Sequence, residues 1–502
     1  MRMRISRATI AAAIAALGMW TAGTAARVVG APPGKSDRRI EGVLTDKEAF
    51  LFAGTEMIAG PQVTRIAPAP EGRYLLAVRE RVDIDLALPL MTQQPMREHS
   101  LVLWNSRTRR SSVIWKHTED SASDAQVGQV EWLPGTTSAL LQIGAMQTDA
   151  SGMPHSRMQL FFLDAARASL RPIAELADDE SIHVSPGKPL AVLIRSVDGT
   201  QEYFFRVVRS NGSVSAPYTV PVVRWKVNRL VPPEQAGIRA TPPAEELALI
   251  EPGPWSKDGA SLYYDSRTKD PTTRKSVSHW YAFDARRGSA APVTQEQAMA
   301  DAADTTDVLA EKLKALPVTV KVSMATVTQE KTTQTVHPLW LESVAPSEQP
   351  RALVTADVEQ PEQALLMPDA SAILYQSGGA LYARPLLRMS KEEYLKARRE
   401  ALKTVAISNA RQLGLALIMY AQDNNEQFPS SGDVGDQIMP YMKNADLLNN
   451  PETGAPGFSF VSPGKGLADV KNPAETPMGY LTGPGGRAVV YSDGHVKWED
   501  NP

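Results

Sequence analysis

Along residues 44–388 the apolar positions come in short unbroken runs separated by proline and glycine reversals. One unit runs 66–68, then Pro70-Glu71-Gly72, then 74–78. Others turn at Pro134-Gly135, Pro186-Gly187, Lys257-Asp258-Gly259 and Pro368-Asp369. Runs this short, without polar alternation, predict strands covered on both faces. Glycine supplies the positive φ that a tight reversal needs. Most copies continue into a third strand that ends on a polar turn, at 101–105, 160–164 and 280–284. A fourth short strand follows, as at 112–115. Four antiparallel strands per unit, repeated about an axis, predict a β-propeller of roughly six or seven blades. Segments 318–322 and 338–344 supply the extra blade in the widest gap between turns. A pair of irregular β-sandwiches built from the same hairpins is the competing arrangement.

Two stretches break the β pattern. Residues 294–316 are rich in Ala, Glu, Lys and Leu and predict a helical insertion stopped by Pro317. Asp301, Asp304 and Asp307 sit three apart on it. They form a solvated acidic face in one reading and attract a cation in the other. Farther on, Ser390 and Glu393 make a capping box that opens a long helix ending near Gln422. Leu402, Val405, Asn409, Leu413, Ala416 and Tyr420 give its buried stripe. Its charged first turns, from Lys391 to Glu400, are expected to project from the packed body. Asp493-Gly494 between apolar runs predicts a terminal β-hairpin with a type I′ turn. The fold class is therefore mainly β with a C-terminal α+β module: a propeller-like domain (44–388), then a long helix and small antiparallel sheet (389–502).

The N-terminus reads as a targeting segment. Arg2, Arg4 and Arg7 precede an apolar stretch from Ala8 to about Ala22, and Gly23, Thr24, Ala25 and Ala26 follow. This is a signal peptide pattern (1–26), with cleavage expected after Ala25 or Ala26. An uncleaved signal anchor is the alternative. Residues 27–43 read as a flexible leader. The chain is thus expected to be exported, to periplasm, cell envelope or medium.

Residues 408–429 (SNARQLGLALIMYAQDNNEQFP) and the closing Ala488-Val489-Val490-Tyr491-Ser492-Asp493-Gly494-His495-Val496-Lys497-Trp498 carry a family resemblance. In this order they resemble the soluble head of pseudopilins, specifically the prepilin-like proteins with a C-terminal D-G-H-V strand. The hairpin units are similar to TolB-like and WD40-like propellers, through Ser256-Lys257-Asp258-Gly259 above all. The first resemblance implies contact with pilin or secretion-system proteins, of type II secretion or type IV pilus kind. Two departures limit it. Gly483 stands where the family carries a histidine, and the charged segment 389–403 replaces the apolar spine that packs into a pilus.

Composition narrows the chemistry. Lys+Arg 53 against Asp+Glu 56 gives a formal charge of -3, which argues against a nucleic-acid partner. Cysteine is absent, which removes disulfides and thiolate chemistry. No further long apolar run follows the N-terminal one, so a membrane is met only through an uncleaved signal segment. No G-x-S-x-G elbow, H-E-x-x-H motif or EF-hand loop occurs, and Ser462-Pro463-Gly464-Lys465-Gly466 lacks Walker spacing. His99, His117, His155, His183, His279, His337 and His495 are scattered singly. His495 reads as a polar residue flanking its turn. Asp469, Asn472 and Glu475 lie in the loop where some pseudopilins bind calcium, without ligand spacing. Asn211-Gly212-Ser213 is a sequon that a hairpin turn also explains. No catalytic, cofactor-binding or metal-binding residue is assigned. The expected function is a non-enzymatic binding or interaction protein of the envelope. The alternatives are a ligand- or carbohydrate-binding surface propeller and a metal-dependent propeller enzyme.

Overall fold

In the computed structural model the described residues are 42–501 except 84–95, 119–124, 149–153, 178–179, 198–201, 228–244, 248, 270–274, 304–307, 324, 330–331, 348, 356–360, 362, 431–432, 443 and 463–465. The targeting segment lies outside them, as does the leader up to residue 41. Val43, the last residue assigned to that leader, is instead a fully buried member of the strand Gly42–Leu44.

Six antiparallel sheets follow one another as blades among the described residues. Blade 1 is Val63–Pro68, Tyr74–Asp83, Met96–Asn105 and Arg110–Thr118. Blade 2 is Ala125–Trp132, Ser138–Thr148, Pro154–Asp164 and Ser169–Leu176. Blade 3 is Ser181–Val184, Leu190–Val197, Glu202–Arg209 and Tyr218–Thr219. Blade 4 is Leu249–Trp255, Ser261–Lys269, Ser276–Asp284 and Ser289–Pro292. Blade 5 has three strands, Val318–Val322, Leu339–Ser343 and Arg351–Thr355. All pair in chain order, which excludes the sandwich arrangement.

Blade 6 draws on both ends of the propeller segment. Gln363–Leu366, Ala372–Ser377 and Ala380–Ser390 supply three strands. The fourth comes from the N-terminal side: Glu48–Phe52 pairs with the second half of Ala380–Ser390, and Glu56–Ala59 with its first half. The ring is thereby closed by a strand whose partner lies 340 residues away, as in the Arg388–Glu48 double hydrogen bond (2.9 and 3.0 Å).

The unbroken apolar runs are explained by packing on both faces. In blade 1, Leu75 and Ala77 enter the core shared with blade 6, while Tyr74, Leu76 and Val78 enter the core shared with blade 2. Similar cores join blades 2–3, 3–4 and 5–6.

The first hairpins of blades 1, 4 and 6 use a different turn from a two-residue reversal. In blades 1, 4 and 6 the N–H of Ala69, Ser256 or Met367 bonds the residue five ahead, and its carbonyl accepts from the residue three ahead, at 2.8–2.9 Å. That third residue (Gly72, Gly259, Ala370) takes positive φ while the two before it do not. The Asp493-Gly494 turn is one residue shorter: Gly494 N–H bonds Tyr491 O, Tyr491 N–H bonds His495 O four ahead, and only Gly494 (φ 86) is left-handed. The type I′ expectation is corrected accordingly, since that turn needs positive φ at both central residues.

The turns of blades 6 and 1 meet where Asp369 faces Gly72, whose added Cβ would lie 2.6 Å from it. Burial raises the Asp369 carboxyl above the usual aspartate range, against hydrogen bonds from Ser371 and the charge of Arg107. A carboxyl raised in the folded state penalises folding at neutral pH, and the penalty disappears as pH falls through the raised value to the ordinary one. Asp369→Asn, which keeps an acceptor for Ser371 N–H, should therefore be more stable than the parent at pH 7. The advantage should close by about pH 4. Urea unfolding at both pH values checks this, and equal stability at pH 7 would refute it.

The helical insertion is two short helices, Gln295–Ala300 and Val308–Lys314, where one helix was expected. The first is capped by Thr294 and ends at Asp301. The long helix, Lys391–Asp423, begins at the predicted capping box. It packs on the sheet Phe458–Phe460, Pro477–Gly483, Gly486–Tyr491 and Val496–Asp500.

Candidate interaction surface

Two sets of turns share one end of the propeller. The turn between the third and fourth strands lies beside the first hairpin turn of the same blade: Ser106 N–H bonds Arg73 O, Ala165 N–H bonds Thr137 O, and Ala285 N–H bonds Ala260 O. A side-chain oxygen braces this turn in three blades. Asn105, Asp164 and Asp284 each accept two backbone N–H groups from the following turn residues at 2.8–3.3 Å. Neighbouring blades are stitched at the same end. Ser185 Oγ donates to Gly259 O (2.9 Å), and Lys188 meets Asp258 (3.4 Å). Arg171 donates to Asn211 O (2.6 Å). Toward the axis, Trp132 Nε1 donates to Ala67 O, and Arg65 reaches Gly128 O.

The long helix starts from this end. Leu386 N–H bonds Ser371 O in the first turn of blade 6, so residues 387–390 run past it into the helix. Contrary to the expected projecting start, the first helical turn is anchored. Tyr394 is buried against Leu44, Ala49 and Leu51, and Lys391 N–H bonds Lys47 O. Residues 395–405 are then unburied, and packing resumes at Ala406. The buried stripe is Ala406, Asn409, Ala410, Leu413, Gly414, Ala416, Leu417 and Ala421, whereas Leu402, Val405 and Tyr420 are only partly covered. On the outward face Leu415 is 53% exposed and Met419 48%.

Among the described residues no apolar core joins blades 4 and 5. Blade 4 carries Glu251, Asp265, Arg267 and Trp280 on the face away from blade 3. Arg267 donates to Asp265 (2.7 Å) and Glu251 (2.6 Å), and buried Asp265 also accepts from Ser278 Oγ (2.8 Å) and His279 N–H (3.1 Å). Both carboxylates raise the Arg267 pKa and fix its charge. Blade 5 answers with Trp340, whose Nε1 donates to Ser323 Oγ, and Arg351 lies 5.0 Å over its ring.

The residues singled out in the sequence fall as follows. Asp301 closes its short helix and accepts from Tyr263 OH (2.7 Å); burial first and then this carboxylate push Tyr263 up to about 12. Asp304 and Asp307 lie outside the described residues, as do 463–465. His495 stacks on Tyr491 (4.3 Å between centroids) and bonds Asp493 (2.6 Å). The N–H of His495, first of all, holds the Asp493 carboxyl below the usual range. Asn472 bonds Glu475 (2.6 Å), while Asp469 is spent on Gly466 N–H. Asn211 braces its turn through Ser213 N–H. A Cβ at Gly483 would lie 3.0 Å from Trp498 and 3.2 Å from Ala406, so any side chain there would press on both. Among the described residues no group of three His, Asp or Glu could hold a metal ion.

The histidines are less scattered than the sequence suggests. His99 and His117 are direct partners on adjacent strands of blade 1, with Glu80 next in the row. Trp115 stacks on His117 at 6.0 Å. Only the strand register brings them together. The side chain of His155 is not among those described. His183 bonds Ser181, and burial lowers its pKa.

No family model matches the chain, and no curated protein matches it. Solved structures similar to it include β-propeller domains and enzymes. The β-propeller domain of the Trilobed protease from Pyrococcus furiosus is 8% identical, with a TM-score of 0.26 over 65% of this chain and 79% of that one. An oligogalacturonate lyase in complex with manganese is 12% identical, with a TM-score of 0.24 over 67% and 96%. The acylaminoacyl peptidase of Pyrococcus horikoshii is 9% identical, with a TM-score of 0.26 over 68% and 51%. The blade assignment rests on the strand pairing itself: the chain is mainly β, a propeller followed by a long helix and a small antiparallel sheet.

Proposed function

We propose that the chain is an exported, non-enzymatic interaction protein of the cell envelope. In this reading its C-terminal module is a pseudopilin-like head that engages pilin or secretion-system subunits. The observation carrying the reading is the outward helix face with Leu415 and Met419. An i, i+4 apolar pair exposed on a helix is the kind of surface that another helix covers. The helix is rooted in the ring-closing hairpin through Tyr394, so the head is held to the propeller.

The test is crosslinking affinity purification of the tagged full chain from native envelopes, beside the Leu415→Asp/Met419→Asp variant. Both positions are exposed, so the variant keeps its fold. Pilin-type or secretion-system subunits should be recovered with the parent and lost with the variant. Recovery of none, or equal recovery with both, sinks the reading.

A further inference from the structure

We propose that the braced turn end of blades 1–4 is a binding rim for a linear acidic polysaccharide. Apart from Arg109, which meets Glu56 at 3.8 Å, the turns between third and fourth strands carry exposed arginines in four consecutive blades: Arg107 and Arg110, Arg167, Arg209, and Arg286 and Arg287. The only acidic residues in these turns are Asp164 and Asp284. Each of these is occupied by two backbone N–H groups and lies 3.5–3.6 Å from one arginine, which remains 83% exposed. The first-hairpin turns at the same end add Glu71 and Asp258, each paired with a lysine (Lys312 and Lys188), and Asp369 near Arg107, so the unpaired excess of positive charge lies on the outer turns.

The turns that carry the arginines are fixed by side-chain and blade-to-blade hydrogen bonds, so little ordering of backbone opposes binding. A guanidinium meets a carboxylate through two parallel N–H donors, which suits a uronate-type polymer. Other polyanionic partners match the shape less well. A bilayer-binding face would carry exposed large apolar side chains beside the arginines, and among the described residues none lies in these turns. A rigid duplex spans a chord of a ring and would not follow an arc of four blades. The described large exposed apolar side chains include no aromatic residue on which unpaired bases would stack. A flexible polyanion follows the arc.

The experiment measures binding of the full chain to alginate oligomers, a linear uronate polymer, across a salt series. Neutral dextran, duplex DNA and anionic phospholipid vesicles are compared. The key variant replaces all six arginines with glutamine. Two half-variants, Arg107/Arg110/Arg167 and Arg209/Arg286/Arg287, serve if the full one is poorly folded. Alginate should bind in a salt-sensitive way and dextran should not. The six-fold variant should lose at least about tenfold in affinity with a flatter salt dependence, each half-variant part of that. Lys396→Gln/Arg399→Gln on the exposed helix should change nothing. Unchanged binding by the variants, equal loss in the helix control, or no preference over dextran overturns the proposal. Tighter binding of DNA or vesicles through the same arginines overturns the choice of partner. None of these readouts depends on the head reading, which is tested at Leu415 and Met419.

Discussion

Replacing Phe50 with alanine should lower stability by about 3–5 kcal/mol, the usual cost of removing a fully buried aromatic side chain. Phe50 is 0% exposed and sits between two blades. It shares a core with Val318, Leu339 and Leu341 of blade 5 and with Ile373 and Leu386 of blade 6. Arg388 lies 5.7 Å from its ring centroid on the partner strand. Truncation thus opens a cavity at the point where the ring is closed. Met57 lies on the next strand, Glu56–Ala59, which also pairs with Ala380–Ser390, but is 61% exposed. Met57→Ala should stay within about 0.5 kcal/mol of the parent. Urea unfolding followed by tryptophan fluorescence separates the two. A Phe50→Ala loss below about 1 kcal/mol would mean that the N-terminal strand does not close the propeller.

Arg206→Ala should cost a similar amount, about 3–5 kcal/mol, because it strands a buried charge. The Glu180 side chain is 1% exposed. Both its oxygens accept from the Arg206 guanidinium, at 2.6–2.9 Å. Arg206 also donates to Glu175 O in the last strand of blade 2, so it ties blade 2 to blade 3 (2.9 Å). Alanine leaves the Glu180 carboxylate without its cation. The double variant Arg206→Met/Glu180→Met removes both charges and keeps apolar volume, and it should recover most of the loss. If the double variant is as unstable as the single one, packing at Arg206 and not charge burial explains the effect.

The hairpins were legible in the sequence because their signals are local. A short apolar run, a reversal and a second run lie within about a dozen residues. The Ser390–Glu393 capping box was equally local and marked the helix start correctly. What the sequence hid was set by contacts between distant segments. The run 49–52 reads as a strand, but nothing in it names Ala380–Ser390 as its partner. The pairing of His99 with His117 depends on register alone. The helix stripe was read toward the larger side chains Leu402, Val405 and Tyr420, whereas the sheet is met by Ala406, Ala410 and Ala421. Small residues let a helix lie close, and at Gly414 an added Cβ would come within 2.6 Å of Val490. A hydrophobicity count undervalues such positions. The exposed arginines of the rim were visible singly, but placing them on one arc required the blade order.

The closing strand also sets a schedule for synthesis. Residues 48–59 leave the ribosome ahead of blades 1–5, and apart from Gly42–Leu44, which pairs with Glu48–Phe52, their partners arrive only when 380–390 are made. At ordinary elongation speeds of ~5–20 residues per second that is a wait of tens of seconds. Throughout it, an apolar strand with open backbone donors and acceptors stands ready to pair with any other edge it meets. The nascent chain therefore carries this open edge until residues 380–390 emerge, and a helper that shields residues 48–59 until then would act where the hazard is greatest.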